Sequence, residues 1–276
     1  MKNIFVYQIY YDDKTRAEVE PGFKPIDNTH SLHPELFEFW VILKYLREND
    51  LCDDTWYGFL SPKFNTKTGL TAQFVENYLS SRDPSTEVCL FSPFWDQLAY
   101  FLNPWEQGEV WHPGLTIAAQ DFMDWCQLGI DLRHIVSDAQ TAVFSNYVIA
   151  KKQYWQAWKI LAERFFAYLE SLSSDSSALQ QTTHGARSRL YPMRTFIQER
   201  FPTLVLLMNQ FAVEVPVQCS FAPIQPRLFA GSLSQRDAFL ACDFMKQRFN
   251  ETSEEEYLQM YWKIRKTIKN NQIFLS

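Results

Sequence analysis

An α/β domain with a mostly parallel central sheet and a helical C-terminal part is the fold this 276-residue chain predicts. Three observations predict it. Short β-branched and aromatic runs alternate with amphipathic stretches as far as Tyr168, the pattern of strands covered on both faces by connecting helices. Within 141–168 an apolar run ends at Asn146 and passes into a stretch where Trp155, Trp158, Ala162, Phe165 and Leu169 recur at steps of three and four, opposite Lys152, Gln156, Lys159 and Glu163. One face of a long helix is therefore core. Beyond Ser188 the clear patterns, Tyr191 to Asn209 and Ser253 to Asn270, are helical.

In chain order, Asn3 to Tyr11 mixes Ile, Phe, Val and Tyr and stops at an Asp pair, which predicts an interior strand at the sheet centre. Lys14 to Leu32, polar and carrying Pro21, Gly22 and Pro25, predicts a loop across the strand ends. Pro34 suits the first turn of a helix reaching about Glu48. An extended stretch follows over Asp53 to Phe64. Thr71 is a suitable cap for a short helix with Phe74, Val75, Tyr78 and Leu79 turned inward. Glu87 to Phe91 predicts a second buried strand. Leu98 to Pro113, rich in Pro, Gly and Trp, predicts a structured loop, and Leu115 to Leu128 a helix.

Ser171 to Ser188 is low in apolar residues and rich in Ser, Thr and Gln, which predicts a mobile linker between a 1–170 core and a 189–276 helical part. Pro202 should kink the helix over Tyr191 to Asn209. In the tail, Glu254, Glu255 and Glu256 lead and Arg265, Lys266 and Lys269 trail, as the helix dipole favours.

Composition bounds the function. A net charge of −6 opposes general nucleic-acid binding, which needs a basic surface to displace counterions. The five cysteines form no C-x-x-C pair and read as reduced thiols in a cytoplasmic protein. The first apolar run meets Asp12 and Asp13 without a small-residue cleavage signal, and no run approaches the roughly 20 residues of a membrane helix, so membrane contact is expected to be peripheral at most. Neither G-x-G-x-x-G, a P-loop nor G-x-S-x-G occurs, which argues against dinucleotide, P-loop and serine-hydrolase chemistry. His30 and His33 lack further ligands for zinc.

What remains is a ring of polar residues at expected strand ends and loops: Gln8, Tyr10, Tyr11, Asp27, Asn28, Ser61, Lys63, Asp96, Gln97, Glu106, Gln107, His112 and Asn146. Ligands of open α/β sheets bind beyond the carboxyl ends of the strands, where Ser145, Asn146 and Tyr147 should also stand. Such a ring suits a hydroxyl-rich ligand carrying phosphate. Lys63 and Lys67 would neutralise the phosphate, and carboxylates would orient hydroxyls or remove a proton.

The segments PELFEFWVILKYL, WYGFLSPKF and VFSNYVIAKKQYWQAW, in that order, and RTFIQERF from Arg194 to Phe201 resemble bacterial nucleotide-sugar glycosyltransferases of GT-A type, of the kind that builds capsule and lipopolysaccharide. The resemblance covers most of Asn3 to Val215. It implies a GT-A-like domain that moves a sugar from a nucleotide-sugar donor to a saccharide or glycolipid acceptor, in the cytoplasm or at the inner face of the membrane. Donor-binding roles would fall to Gln8, Tyr10, Tyr11, Asp27, Asn28, Lys63, Asp96 and Asn146. Acceptor-binding roles would fall to Trp105, Gln107, His112, Glu199 and Arg200, and the base would be Glu106 or Asp138. The chain departs from the family in having no Asp-x-Asp, the element that holds the donor diphosphate through Mn or Mg, so a metal requirement stays open. The alternative is a non-catalytic carbohydrate-binding or assembly protein of the same pathway.

Overall fold

The computed structural model describes residues 3–184, 187–216 and 233–268. Strand β1 (Asn3–Tyr10) leads through helix α1 (Asp13–Ala17) to β2 (Lys24–Asp27), and α2 (Phe37–Glu48) to β3 (Thr55–Leu60). Helices α3 (Phe64–Thr68) and α4 (Ala72–Ser80) precede β4 (Val88–Leu90). Then come α5 (Trp95–Tyr100), α6 (Pro104–Trp111) and α7 (Leu115–Trp125), followed by β5 (Val148–Ala150) and α8 (Lys152–Ser171). A hairpin of β6 (Gln181–His184) and β7 (Arg187–Pro192) leads to α9 (Met193–Gln198), α10 (Phe201–Met208) and β8 (Val213–Glu214). Two longer helices, α11 (Leu233–Thr252) and α12 (Glu255–Thr267), complete the described chain.

The main sheet has the order β2-β1-β3-β5-β4-β8. Its pairs β1–β2, β1–β3 and β4–β8 are parallel, whereas β5 runs against both β3 and β4. The sheet is thus mostly parallel with one reversed strand. Its middle pair is β3–β5 and not β1, because the short β2 adds outside β1. All six residues of β3 are buried, as a strand covered on both faces requires.

Helices cover both faces. One core gathers Ile9, Phe39, Leu43, Phe59, Phe122, Trp158, Phe165, Phe196 and Phe201 beneath α2, α7, α8, α9 and α10. The other face packs Val6, Trp56, Phe64, Val75, Leu79, Phe91 and Ile149 beneath α3 and α4. The predicted apolar face of α8 is buried at Trp155, Trp158, Ala162 and Phe165, and the Trp155 indole donates to the Tyr57 carbonyl at 2.9 Å. Thr71 caps α4 by accepting from the Phe74 amide. Glu255, Glu256, Arg265 and Lys266 take their expected ends of α12; Lys269 lies outside the described residues.

Four expectations are corrected. The loop expected over Lys14 to Leu32 contains α1, closed by a reciprocal cap between Asp12 and Thr15, and the edge strand β2. Leu98 to Pro113 is mainly helical: Asn103 caps α6 by accepting from the Trp105 and Glu106 amides, and Pro104 occupies the first turn, where its missing N–H costs nothing. The strand expected before Asn146 lies after it, at Val148–Ala150. Pro202 does not kink a continuous helix; it sits in the first turn of α10, and the chain breaks at Glu199 and Arg200. Within 171–188 the described residues hold a 3₁₀ turn at Ser177–Leu179, with Ala178 fully buried, and part of the β6–β7 hairpin; residues 185–186 lie outside the described residues.

Helices α11 and α12 pack on α5 through Trp95, Ala99, Phe101, Phe239, Cys242 and Tyr261. A polar network backs this contact. Arg265 pairs with Glu106 at 2.7 Å, and the Asn250 amide donates to Asp138 at 2.9 Å.

Candidate functional site at the strand ends

The reversal of β5 gathers the site. Because β5 runs antiparallel, the residues that precede it stand at the same sheet edge as the residues that follow β1, β3 and β4. The Phe91 amide, just past β4, donates to the Tyr147 carbonyl at 2.8 Å. The Tyr147 hydroxyl lies 3.0 Å from Ser61 Oγ, just past β3. Lys67 of α3 stands over the Tyr147 ring, 5.8 Å from its centroid.

Two side-chain bonds bring further elements to this edge. Asn28, after β2, donates to the Phe37 carbonyl at 3.2 Å, and Gln198, at the end of α9, donates to the Leu36 carbonyl at 3.1 Å. They clamp the start of α2 between the sheet edge and the α9–α10 break. Phe37 there has φ 47° and ψ −128°, and Phe94, at the start of α5 after β4, has φ 59°. Both are left-handed conformations that cost a bulky residue energy, and such strain concentrates at functional sites.

The titratable groups brought together are Tyr11 at the end of β1, Glu38 in α2, Tyr147, Glu199 at the helix break, and Lys63 and Lys67. Burial pushes the Glu199 carboxyl up to about 7; the Glu38 carboxylate adds to the rise, and the charges of Lys67, Arg200 and Lys63 oppose it. Burial, with the charges of Glu38 and Glu199, also holds the Tyr11 phenol well above its ordinary range. Tyr147 is raised chiefly by burial, against its bond with Ser61. On either side of the β4–β5 end, Ser92 Oγ, Ser145 Oγ and Asn146 Oδ1 are buried with no hydrogen-bond partner among the described residues. Buried polar atoms are normally paired, so these mark an edge prepared for polar contact.

Of the expected donor-binding residues, Tyr11, Asn28, Lys63 and Asn146 come to this edge. Gln8 is a brace: its Nε2 donates to Asn65 Oδ1 at 3.0 Å and its Oε1 accepts from the Glu20 amide at 2.7 Å. Asp27 closes a turn by accepting from the Thr29 amide and hydroxyl, both at 2.7 Å, and its carboxylate lies beside Tyr10. Asp96 is fully buried in the first turn of α5 and accepts from the Gln97 amide.

The expected acceptor-binding residues divide in the same way. Trp105 is a core residue, and His112 is buried flat against Phe196, ring centroids 3.5 Å apart. Arg200 is buried and donates to the Pro104 carbonyl, the Phe196 carbonyl and Gln107 Oε1 at 2.7, 2.8 and 2.8 Å, while burial lowers its guanidinium to about 10. Gln107 in turn donates to Gln97 at 3.0 Å. Glu199 alone of this group reaches the strand-end cluster. The two expected bases are committed elsewhere. Glu106 accepts from the Leu102 amide and from Arg265, and Asp138 from the Gln140 amide, Thr141 and Asn250.

Glu38 carried no site signal in the sequence, since an acidic residue in the first turn of a helix reads as a dipole partner. Only the clamp on α2 shows its position. Among the described residues no three His, Cys, Asp or Glu side chains converge.

No family model and no curated protein matches this chain. One solved structure, described as the apo form of the bifunctional glycosyltransferase WbbM, is similar with a TM-score of 0.44 and 14% identity, over 78% of this chain and 44% of that one. The chain thus spans less than half of that protein, and so distant a likeness assigns no activity. Among the described residues no helix is long and apolar enough to cross a membrane.

Proposed function

We propose that this chain is a GT-A-type glycosyltransferase that moves a sugar from a nucleotide-sugar donor to a cell-surface polysaccharide or glycolipid acceptor. The observation that carries the reading is the gathering of Tyr11, Glu38, Lys63, Lys67, Tyr147 and Glu199 at the carboxyl edge of a mostly parallel sheet. Open α/β sheets bind their ligands at this edge.

The chemistry follows from the charges. Lys63 and Lys67 face the diphosphate and stabilise the negative charge that grows on it as the bond from the sugar C1 to the phosphate oxygen breaks. The acceptor oxygen forms the new bond to C1, and its proton passes to a carboxylate. Glu38 takes this role in our reading, in place of Glu106 and Asp138, whose oxygens already accept bonds from Arg265 and Asn250. No step is assigned to a metal.

Calorimetry with a panel of nucleoside diphosphates, with and without manganese, tests the reading and reports any metal requirement directly. Binding by at least one nucleotide, weakened by Lys67→Ala, supports it. A folded protein that binds none of them in either condition overturns it.

A further inference from the structure

We propose that the cleft between the β4–α5 segment and residues 142–146 is a saccharide subsite, in which Ser92, Gln97, Ser145 and Asn146 bind the hydroxyls of an uncharged sugar ring. The inference deepens the proposed function and rests on its placing a saccharide at this edge, which the cleft adjoins through Asn146.

Hydrogen bonds hold the two walls together. The Phe91 amide donates to the Tyr147 carbonyl at 2.8 Å, continuing the antiparallel pairing of Leu90 with Val148. Ser92 and Asn146 follow these last paired residues, one on each wall. Farther in, Gln97, Leu98 and Gln107 line the cleft from α5 and α6, and Ala142 and Phe144 line it from the facing segment. Four side-chain atoms on these walls are buried with no hydrogen-bond partner among the described residues: Ser92 Oγ, Gln97 Nε2, Ser145 Oγ and Asn146 Oδ1. Ser92, Gln97 and Ser145 are 0, 1 and 5% exposed, whereas Asn146 and Phe144 are half-buried and mark the side from which a ligand enters.

A chain of hydrogen bonds fixes the polarity of the deep end. Arg200 can only donate, and it donates to Gln107 Oε1 at 2.8 Å. The Gln107 amide nitrogen must therefore face outward, and it donates to Gln97 Oε1 at 3.0 Å. With its oxygen taken, Gln97 presents Nε2 as a donor, strengthened by the guanidinium at the head of the chain. Arg200 is thus a positioning residue that acts through two glutamines. A ligand group at Gln97 must accept, and one at Asn146 Oδ1 must donate. A sugar hydroxyl does both, whereas an ionised phosphate oxygen only accepts and would be repelled by Asn146 Oδ1.

In this form the walls close over the four atoms. Unpaired buried polar groups raise the free energy of that closed form, so a ligand that parts the walls and pairs them is favoured. Phe94, between Ser92 and Gln97, holds φ at 59°, so the wall that moves is itself away from its backbone minimum.

The test is calorimetry of the full chain with the nucleoside diphosphate panel, with the same nucleotides bearing glucose, galactose or mannose, and with the methyl glycosides of these sugars. Wild type is compared with Ser145→Ala and Gln97→Met. The melting midpoint of Ser145→Ala should hold or rise, because the hydroxyl removed has no partner, and circular dichroism establishes that Gln97→Met is folded. We expect the sugar-bearing probes to lose about two- to tenfold in affinity in each variant, as loss of one neutral hydrogen bond does, with the bare diphosphates unchanged. A loss confined to the nucleotide sugars assigns the subsite to the donor sugar, and a loss with the methyl glycosides assigns it to the acceptor. Equal affinities in all three proteins, an equal loss for the bare diphosphates, bare diphosphates as the only probes bound, or a lowered midpoint in Ser145→Ala overturns this inference and leaves the donor-site reading standing. Methyl glycosides that bind alone and weaken in the variants sustain the subsite and overturn the donor reading. No binding by any probe overturns both.

Discussion

The ammonium of Lys246 lies 2.8 Å from the carbonyl oxygen of Phe101, 145 residues away, and also donates to the carbonyls of Leu98 and Ser137 at 2.5 and 2.6 Å. A fully buried lysine of α11 thus caps the last turn of α5, whose terminal carbonyls have no partner within the helix. Helix α5 starts immediately beyond β4, so this contact sets one side of the strand-end edge from the opposite end of the sequence.

Lys246→Met keeps the apolar stem and removes the three donors. It should destabilise the protein by about 1–3 kcal/mol, the cost of leaving buried carbonyls unpaired. Urea unfolding followed by circular dichroism measures it, and an unchanged midpoint would show that the carbonyls find other partners.

Gly108 of α6 is packed so closely that a methyl group in its place would collide with Leu115 and with the Arg200 guanidinium. Gly108→Ala must displace the Arg200 network. Overpacking of this kind costs about 1–3 kcal/mol, more than the helix propensity gained by alanine. A thermal melt no lower than wild type would contradict it.

The Glu199 carboxyl, pushed up to about 7 in the folded chain, binds more protons there than when unfolded, where it titrates near 4.5. Its contribution to stability is therefore present at low pH and declines as pH rises through this interval, levelling above 7. Glu199→Gln should remove this component, so the variant loses less stability than wild type between pH 5 and pH 8. Parallel pH profiles of urea midpoints for the two proteins would refute it.

Lys63→Ala should weaken nucleoside-diphosphate binding by about 1.5–3 kcal/mol, the range for hydrogen bonds to charged groups, with the fold unchanged because Lys63 is exposed. Glu38→Gln should leave that binding nearly intact and depress sugar transfer by about 100-fold or more, as removal of a proton acceptor does. Transfer at the wild-type rate in Glu38→Gln would remove it from the base role.

The sequence by itself determined the layers. The 3.6-residue spacing of Trp155, Trp158, Ala162 and Phe165 committed one face of α8 to the core, and the apolar runs in β1, β3 and β4 required cover on both faces, because each pattern has one way to leave water. It also brought Tyr11, Asn28, Lys63, Lys67, Asn146 and Tyr147 to notice, since polar residues directly after apolar runs fall at strand ends. Tertiary structure decided which of them meet. Asn146 reaches the edge because β5 is reversed, and local propensity does not encode strand direction. Glu106, Asp138 and Arg200 look like site residues in a sequence, yet they spend their hydrogen bonds on α12, α11 and α6, partners that only folding brings near. Glu38 and Glu199 acquire their relation in the same way: 161 positions separate them, and the raised pKa of Glu199 comes from burial and the Glu38 charge, against the opposing charges of Lys67, Arg200 and Lys63.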